Sequence, residues 1–446
     1  MIPSTTAMGV STPTIKFNHA FAEEFPNSNR THKVESSISN QYVRDFLPVN
    51  GNIADGGSVG DSYLEYIVPP NNLELMDLDS LSLEMKIKVV KQDGSDVDDT
   101  SKFTVIDGLG HRIFSRCTIY LNGTPCSNNA FFGLYNTIRS YLNMSKDALP
   151  GVGRNAFYKD LNTPIDSTIT DATFANLNSE EKSIFDDTKK VINFTSPLNL
   201  DIGNSDFYLL NGVEVRIRIE LSSPQLIINS SESEKYNYKI LSAKLWAQKI
   251  VPHNSALISL NKSLTNNHAM IEYIFERPVT KNYVFQKGQS ILSLDNVFTG
   301  IVPQKMYMFF ISQSAINGSY SRNASYLSDC SVGSVRLEIN GNTFSSLNVS
   351  FPSEVSNLFH HTLTNSKTDC NLLTLQLFRK GRTIYSWDLR SSEVDDVLQV
   401  ERSGNARISV QTVKPLPKNM IVYVIGLING LIEIDGLRRV KASYLL

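Results

Sequence analysis

Apolar and polar residues alternate along much of this chain. In 81–90, LSLEMKIKVV, Leu81, Leu83, Met85, Ile87 and Val89 are apolar, and Glu84, Lys86 and Lys88 lie between them. Successive side chains of a strand point to opposite faces, so this run predicts a strand with one greasy and one charged face. The segment 213–221, VEVRIRIEL, alternates without error: Val213, Val215, Ile217, Ile219 and Leu221 against Glu214, Arg216, Arg218 and Glu220. LEYIV at 64–68 is a shorter strand that stops at Pro69-Pro70. RCTIYLNGTPCS at 116–127 predicts a hairpin: Cys117, Ile119 and Leu121 share a face, and Asn122-Gly123 supplies the positive φ angles of a tight turn. Behind it Phe131, Leu134, Tyr135, Ile138, Tyr141 and Leu142 recur at the three-and-four spacing of one helix face, with Ser127 or Asn128 as N-cap. The block 63–142 therefore reads strand, strand, hairpin, helix.

The same signals return farther along. IEYIF at 271–275 echoes LEYIV at an offset of 207, and VRLEINGNTFSS at 335–346 echoes TIYLNGTPCS at an offset of 218. Asn340-Gly341 stands where Asn122-Gly123 stood, and Val355, Leu358, Phe359 and Thr362 behind Ser353 give a second short helix. Two matches at nearly one offset point to a duplicated module. A long strand at 238–251 carries Trp246 and ends the first module at Pro252. The second module continues as strands at 271–275, 291–295, 306–312, 335–339, 373–378, 383–388, 406–412, 420–427 and 431–434. Short strands separated by Gly, Asn and Asp argue for antiparallel β-sandwiches. The run MIVYVIGL at 420–427 is apolar throughout, far short of the roughly 20 residues of a membrane helix, and reads as a fully buried strand.

These patterns divide the chain into an arm at 1–45, a first sandwich at 46–252, a linker at 253–270 and a second sandwich at 271–446. The arm lacks periodicity and carries isolated aromatics, Phe17, Phe21 and Phe25, suited to docking on a neighbouring surface. The linker is polar and turn-rich. A long irregular insertion follows the first helix at 147–189, with a short helix predicted at 179–191.

Composition narrows the classes. The 446 residues exceed one ordinary core and fit two domains. With 42 basic and 44 acidic residues the net charge is −2, so no strong field draws nucleic acid or an anionic membrane. Apolar residues make up 41% and charged residues only 19%, with Asn, Ser and Thr filling the difference, as in an all-β protein with many polar turns. Four cysteines, Cys117, Cys126, Cys330 and Cys370, are too few for a disulfide-built scaffold and are expected as thiols. Residues 1–14 lack the apolar core of a secretory signal.

A search for chemistry nominates no catalytic, cofactor-binding or metal-ligating residue, and no cofactor. The chain has no GxSxG, Walker, HExxH or GxGxxG motif and no zinc-spaced Cys/His set. His360-His361 sits on a helix pattern, where neighbours face different directions; His111 and His253 are isolated; Asp395-Asp396 has no partner base. The acids of DGSDVDD at 93–99 lack calcium-loop spacing and read as a solvated loop tip. FRKGRTIYSWDLR at 378–390 is basic and aromatic but reads as a hairpin around Lys380-Gly381, with Trp387 inward and the arginines outward.

The run YLEYIVPP…LDSLSLEMKIKVVKQDGSDV…GLGHRIFSRCTIYLNGTPCSNNAFFGLYNTIRSYL resembles the major capsid protein of Polinton (Maverick) elements and adintoviruses. In that family a strand ending in proline, a "LxLxxKIxKxDGS" strand and loop, a "LFSxVxxxLNG" hairpin and a tyrosine-containing helix follow one another. Here they match 64–70, 81–95, 113–123 and 130–142, though the helix lacks the family's PYR triplet. FTGIVPQKMYMFF at 298–310 and the strand 383–389 extend the likeness over most of 50–446. The resemblance implies an all-β double jelly roll, two antiparallel jelly-roll sandwiches in tandem with short inserted helices. It implies a hexon-like homotrimer forming pseudo-hexagonal capsomers of an icosahedral virion shell. Partners would be the chain itself, neighbouring capsomers and a minor capsid or penton protein, without specific nucleic-acid binding. Assembly would take place inside the host cell, with the insertion 147–189 and the loops at 317–323 covering neighbouring subunits or forming an outer tower. The alternative is a carbohydrate- or receptor-binding β-sandwich protein of a vertex or spike; a glycosidase would need two carboxylates about 5–10 Å apart, and no such pair is named.

Overall fold

The computed structural model describes residues 37–50, 63–98, 101, 103–148, 151, 153, 155–158, 168–169, 191–204, 207–230, 235–266, 270–349, 355–366, 372–390 and 402–443. The alternating segments form strands, and all named ladders are antiparallel. The first half holds β1 (Ile38–Phe46), β2 (Tyr63–Val68), β3 (Leu75–Lys91), β4 (Phe103–Val105), β5 (Phe114–Leu121), β6 (Thr124–Asn129), β7 (Val191–Pro197), β8 (Val215–Leu221), β9 (Ile228–Ser230) and β10 (Tyr236–Pro252). The second half holds β11 (Ile271–Phe285), β12 (Ile291–Val302), β13 (Lys305–Ser312), β14 (Val332–Ile339), β15 (Asn342–Asn348), β16 (Tyr385–Asp388), β17 (Arg402–Thr412), β18 (Met420–Ile434) and β19 (Val440–Ser443).

The sheet orders are β1-β10-β3-β7 and β2-β8-β5-β6 in the first half, and β11-β18-β13-β16 and β12-β17-β14-β15 in the second. β4 and β9 form a small separate pair, and β19 adds to β18. Set aside those three, and number the eight main strands of each half from one. Both halves then pair first-eighth-third-sixth in one sheet and second-seventh-fourth-fifth in the other. That connectivity is the jelly roll.

The alternation places the cores. In β8 the valine, isoleucines and leucine are buried while Arg216 is exposed. In β3, Leu81, Leu83, Met85, Ile87 and Val89 are all nearly inaccessible. Each such aliphatic side chain contributes about 1.5–3 kcal/mol of burial free energy. β18 is the central strand of its sheet and is buried at every residue from Met420 to Leu427. It continues to Ile434, so 431–434 is not the separate strand that its sequence predicts. The strand passes beneath two aromatic rings by way of glycines: a Cβ on Gly426 would lie 2.6 Å from the Phe298 ring, and one on Gly430 would lie 2.5 Å from Phe275.

Both Asn-Gly turns are as expected, with φ of 46° and 78° at Asn122-Gly123 and 51° and 79° at Asn340-Gly341. Each joins the fourth and fifth strands of its half, and a helix follows each hairpin, Phe132–Asn143 and Val355–Ser366. The other echo is corrected: LEYIV lies in β2, the second strand of its half, whereas IEYIF opens β11, the first strand. Those segments share a strand pattern and not a place in the fold.

Four further expectations change. The arm ends earlier than 45, because Ile38–Phe46 pairs along β10. The linker 253–270 carries the helix Asn254–Asn266, docked through Leu257, Leu260 and Leu264. Residues 373–378 are not a strand: Thr374 caps a short helix, Leu375–Arg379, by accepting from the Leu377 amide. The first long helix begins later than Ser127 or Asn128, which belong to β6; the Asn129 side chain instead accepts from the Phe131 amide at 3.0 Å. The predicted helix at 179–191 lies outside the described residues, save that Val191 begins β7. Among the described residues no helix is long and apolar enough to cross a membrane.

Candidate functional site

Polar side chains converge where the two sandwiches meet. The turn after β4 delivers Asp107, and the helix Phe132–Asn143 delivers Tyr141. Opposite them, the loop before β16 delivers Arg382. The Arg382 guanidinium donates to the Asp107 carboxylate at 2.6 Å and to the Leu372 carbonyl at 3.1 Å, and its Cζ lies 4.3 Å from the centre of the Tyr141 ring. Tyr141 donates its hydroxyl to the same carboxylate at 2.6 Å, and Ser325 donates to the Asp107 carbonyl at 3.0 Å. The side chains of Asp107 and Arg382 are each 1% exposed, so solvent is excluded from the pair. Burial works against the charge of Arg382, but Asp107 and Tyr141 outweigh it and hold the pKa above the ordinary arginine value.

The turn that carries Asp107 is held from behind. Gly108 adopts φ 70°, and a Cβ there would lie 2.9 Å from the Tyr158 ring. His111 is fully buried, with Nδ1 2.7 Å from the Tyr158 hydroxyl and Nε2 3.1 Å from the Pro197 carbonyl. Burial pulls its pKa down to about 4, which keeps the imidazole neutral. Arg112, next along, donates across the junction to the Ala324 carbonyl at 3.1 Å.

A second seam lies at the far end of the chain. Tyr273 on β11 accepts from the Leu210 amide at 3.0 Å and donates to the Tyr208 carbonyl at 3.2 Å. Arg438 donates to Asn211 at 2.7 Å and 2.8 Å and to Asn261 on the linker helix at 2.8 Å. Asn122, from the first Asn-Gly turn, donates to the Arg438 carbonyl at 2.7 Å. The linker helix is thus one face of a three-way junction.

The loop 317–323 also spans the two halves. Its Tyr320 carbonyl accepts from the Ser230 amide at 2.9 Å, its Ser321 carbonyl accepts from the Ile169 amide at 2.8 Å, and the Tyr320 hydroxyl donates to the Tyr236 carbonyl at 2.6 Å. These contacts lie within one chain and make the loop a clasp between the two halves.

The residues weighed for chemistry do not gather. His111 is packed in the first seam, while His360 and His361 lie on the helix Val355–Ser366, and Asn365 bonds the His361 ring at 3.2 Å. The His253 amide donates to the Ser37 carbonyl at 2.8 Å, which ties the linker to the start of β1. Asp395-Asp396 lies outside the described residues, as does Cys370. In the acidic loop, Lys88 pairs Asp96 at 2.6 Å and Lys91 pairs Asp98 at 2.5 Å, the arrangement of a surface loop. Among the described residues no three His, Cys, Asp or Glu side chains group as metal ligands. Cys117, Cys126 and Cys330 are free thiols. In 378–390, Trp387 is inward as expected, but Arg382 is the most deeply buried cation of the segment and not an outward one. Only the juxtaposition with Asp107, 275 residues earlier, reveals its partner.

The outer faces of the second sheets are charged and self-paired. On the first, Arg216 pairs Glu65, and Arg218 stacks 4.2 Å from the Tyr63 ring. On the second, Arg407 pairs Asp295 at 2.6 Å and Glu338 at 3.5 Å. Exposed pairs of this kind contribute about 0–1 kcal/mol each.

No family profile matches the chain. An uncharacterized protein of Caenorhabditis elegans is 20% identical over 387 residues, covering 81% of this chain and 88% of that protein. The PBCV-1 virus capsid superposes with a TM-score of 0.60 at 10% identity, covering 94% of this chain and 100% of the other. The mavirus major capsid protein superposes with a TM-score of 0.53 at 11% identity, covering 97% and 96%. The likeness to these structures therefore runs through both sandwiches, and the fold of this chain is a double jelly roll.

Proposed function

We propose that this chain is a major capsid protein, the structural subunit of trimeric, pseudo-hexagonal capsomers in an icosahedral shell. The observation that carries the reading is the repeated strand order in one chain. Two sandwiches of the same connectivity, held side by side by buried polar contacts, give a subunit with two similar halves. Three copies about one axis then present six similar units, a shape that tiles a flat lattice. The full-length likeness to viral capsid proteins supports this reading.

The sequence motifs favour the Polinton and adintovirus type within that class. The chain divides into an arm ending before Ile38, a first jelly roll to Pro252, the helical connection and a second jelly roll from Ile271. Its partners are its own copies, neighbouring capsomers and a minor capsid or penton protein at the vertices. With a net charge of −2 it does not bind nucleic acid specifically, and it performs no catalysis. It resides in the virion after assembly inside the host cell.

Mass photometry of the purified protein tests the proposal, with three chains per particle expected and regular lattices in negative-stain micrographs at high concentration. A stable monomer at micromolar concentration that forms no trimer under any capsid-assembly condition would refute it. That outcome would favour a receptor- or carbohydrate-binding sandwich.

A further inference from the structure

Beside β1 lies a cleft of about 400 Å³ lined by Arg44, Phe46, Pro69-Pro70, Leu73, Glu74 and Lys249. Lys249 is only 7% exposed. Among the described residues it joins no ion pair and no hydrogen bond; the Phe46 ring lies 6.0 Å from its ammonium. Burial draws its pKa below the ordinary lysine value and Arg44 adds to the effect, against the opposing pull of Glu74. Glu74 is close enough to be felt, but its carboxylate accepts the Tyr42 hydroxyl at 2.6 Å. Arg44 adds a second cation, 5.5 Å from the same Phe46 ring. The lining thus holds two cations against one carboxylate. Leu73, part of the lining, exposes its apolar side chain.

A ligand for this cleft must bring a carboxylate to Lys249 and an apolar group to the rim. The chain carries such a sequence itself. Before β1, Glu23-Glu24 is the one adjacent acidic pair, and it is flanked by Phe21 and Phe25. We propose that the cleft binds the segment 21–25, with a glutamate of that pair on Lys249 and the phenylalanines against the prolines and leucine of the rim.

The reach is sufficient. Tyr42 sits opposite Lys249 in the β1–β10 ladder, about 17 Å along the strand from Ser37 at 3.4 Å per residue. The stretch from Glu24 to Ser37 spans up to about 44 Å when extended. The other edge of β1 carries no strand among the described residues, which leaves a return path along it.

Zero-length carbodiimide coupling of the full-length protein, followed by digestion and mass spectrometry, tests this. The chemistry joins a carboxylate to an amine only when the two are in contact. Lys441 and Glu433, 2.7 Å apart, form the internal control. The expected product joins the Lys249 peptide to the peptide carrying Glu23-Glu24, and it disappears in E23Q/E24Q while the control persists. Coupling of Lys249 to Glu74 or another carboxylate, or an uncoupled Lys249 beside a formed control, overturns the proposal. The readout is the same in a monomer or a trimer, so its failure is distinct from failure of the capsid reading.

Discussion

Asp107→Asn isolates the charge of Arg382 without changing the shape of the site. The two side chains are each 1% exposed and 2.6 Å apart, so the guanidinium cannot turn to water when its carboxylate is lost. Removing one partner of a buried ion pair costs about 3–5 kcal/mol, because the other charge is left uncompensated. The Tyr141 ring, 4.3 Å away, remains and attracts a desolvated cation by about 2 kcal/mol, which puts the expected loss near the lower end, about 3 kcal/mol. For domains of this size 1 kcal/mol moves the melting temperature by about 2–4 °C, so Asp107→Asn should melt about 6–12 °C below the parent. The double variant D107L/R382M removes both charges. It should recover most of that loss, since a buried pair replaced by apolar groups of similar size is often close to neutral. Differential scanning fluorimetry of the parent, D107L, R382M and the double variant closes the cycle, with Asp107→Asn measured beside them. A parent-like melt for Asp107→Asn would mean that the pair is solvated in the folded protein. A double variant as damaged as the single one would mean that packing, and not charge, is what the seam needs at these positions.

His111 should make the protein acid-sensitive. Its folded pKa of about 4 lies below the ordinary value of 6.5, so the unfolded chain binds the extra proton and stability falls as pH drops from 6.5 toward 4. The full effect is on the order of 3 kcal/mol, and His111→Gln should flatten that part of a Tm-against-pH profile; an unchanged slope would show that other groups carry it. Gly426→Ala places a methyl group against Phe298 and Pro303 and should cost about 1–3 kcal/mol, read as a lower midpoint in urea. Burial raises the Cys117 thiol well above its ordinary pKa and pushes Cys126 and Cys330 up to about 12, so native protein should resist iodoacetamide at all three until unfolded. Mass spectrometry of the unreduced protein should find no bridge between Cys117 and Cys126.

The sequence by itself determined the strands. A period of two in 81–90 and 213–221 names both the element and its buried face, because one face of a sandwich strand must leave water. It also determined the two Asn-Gly turns, whose positive φ angles few other residue pairs adopt at so little cost. Those signals are local, and local steric preferences write them directly into residue types. Three features depended on contacts distant in the chain. The linker helix was hidden by its Asn- and Ser-rich surface, although Leu257, Leu260 and Leu264 stood at helical spacing. The equivalence of strands between the halves was misread at LEYIV and IEYIF, because a strand pattern carries no record of its place in the sheet. Arg382 was read as an outward arginine because composition assigns a lone cation to solvent. Only the tertiary structure sets it against Asp107 and Tyr141 from the other sandwich. A buried charge is tolerated only with its partner in place, and which residue serves as partner is decided by how the two sheet pairs pack.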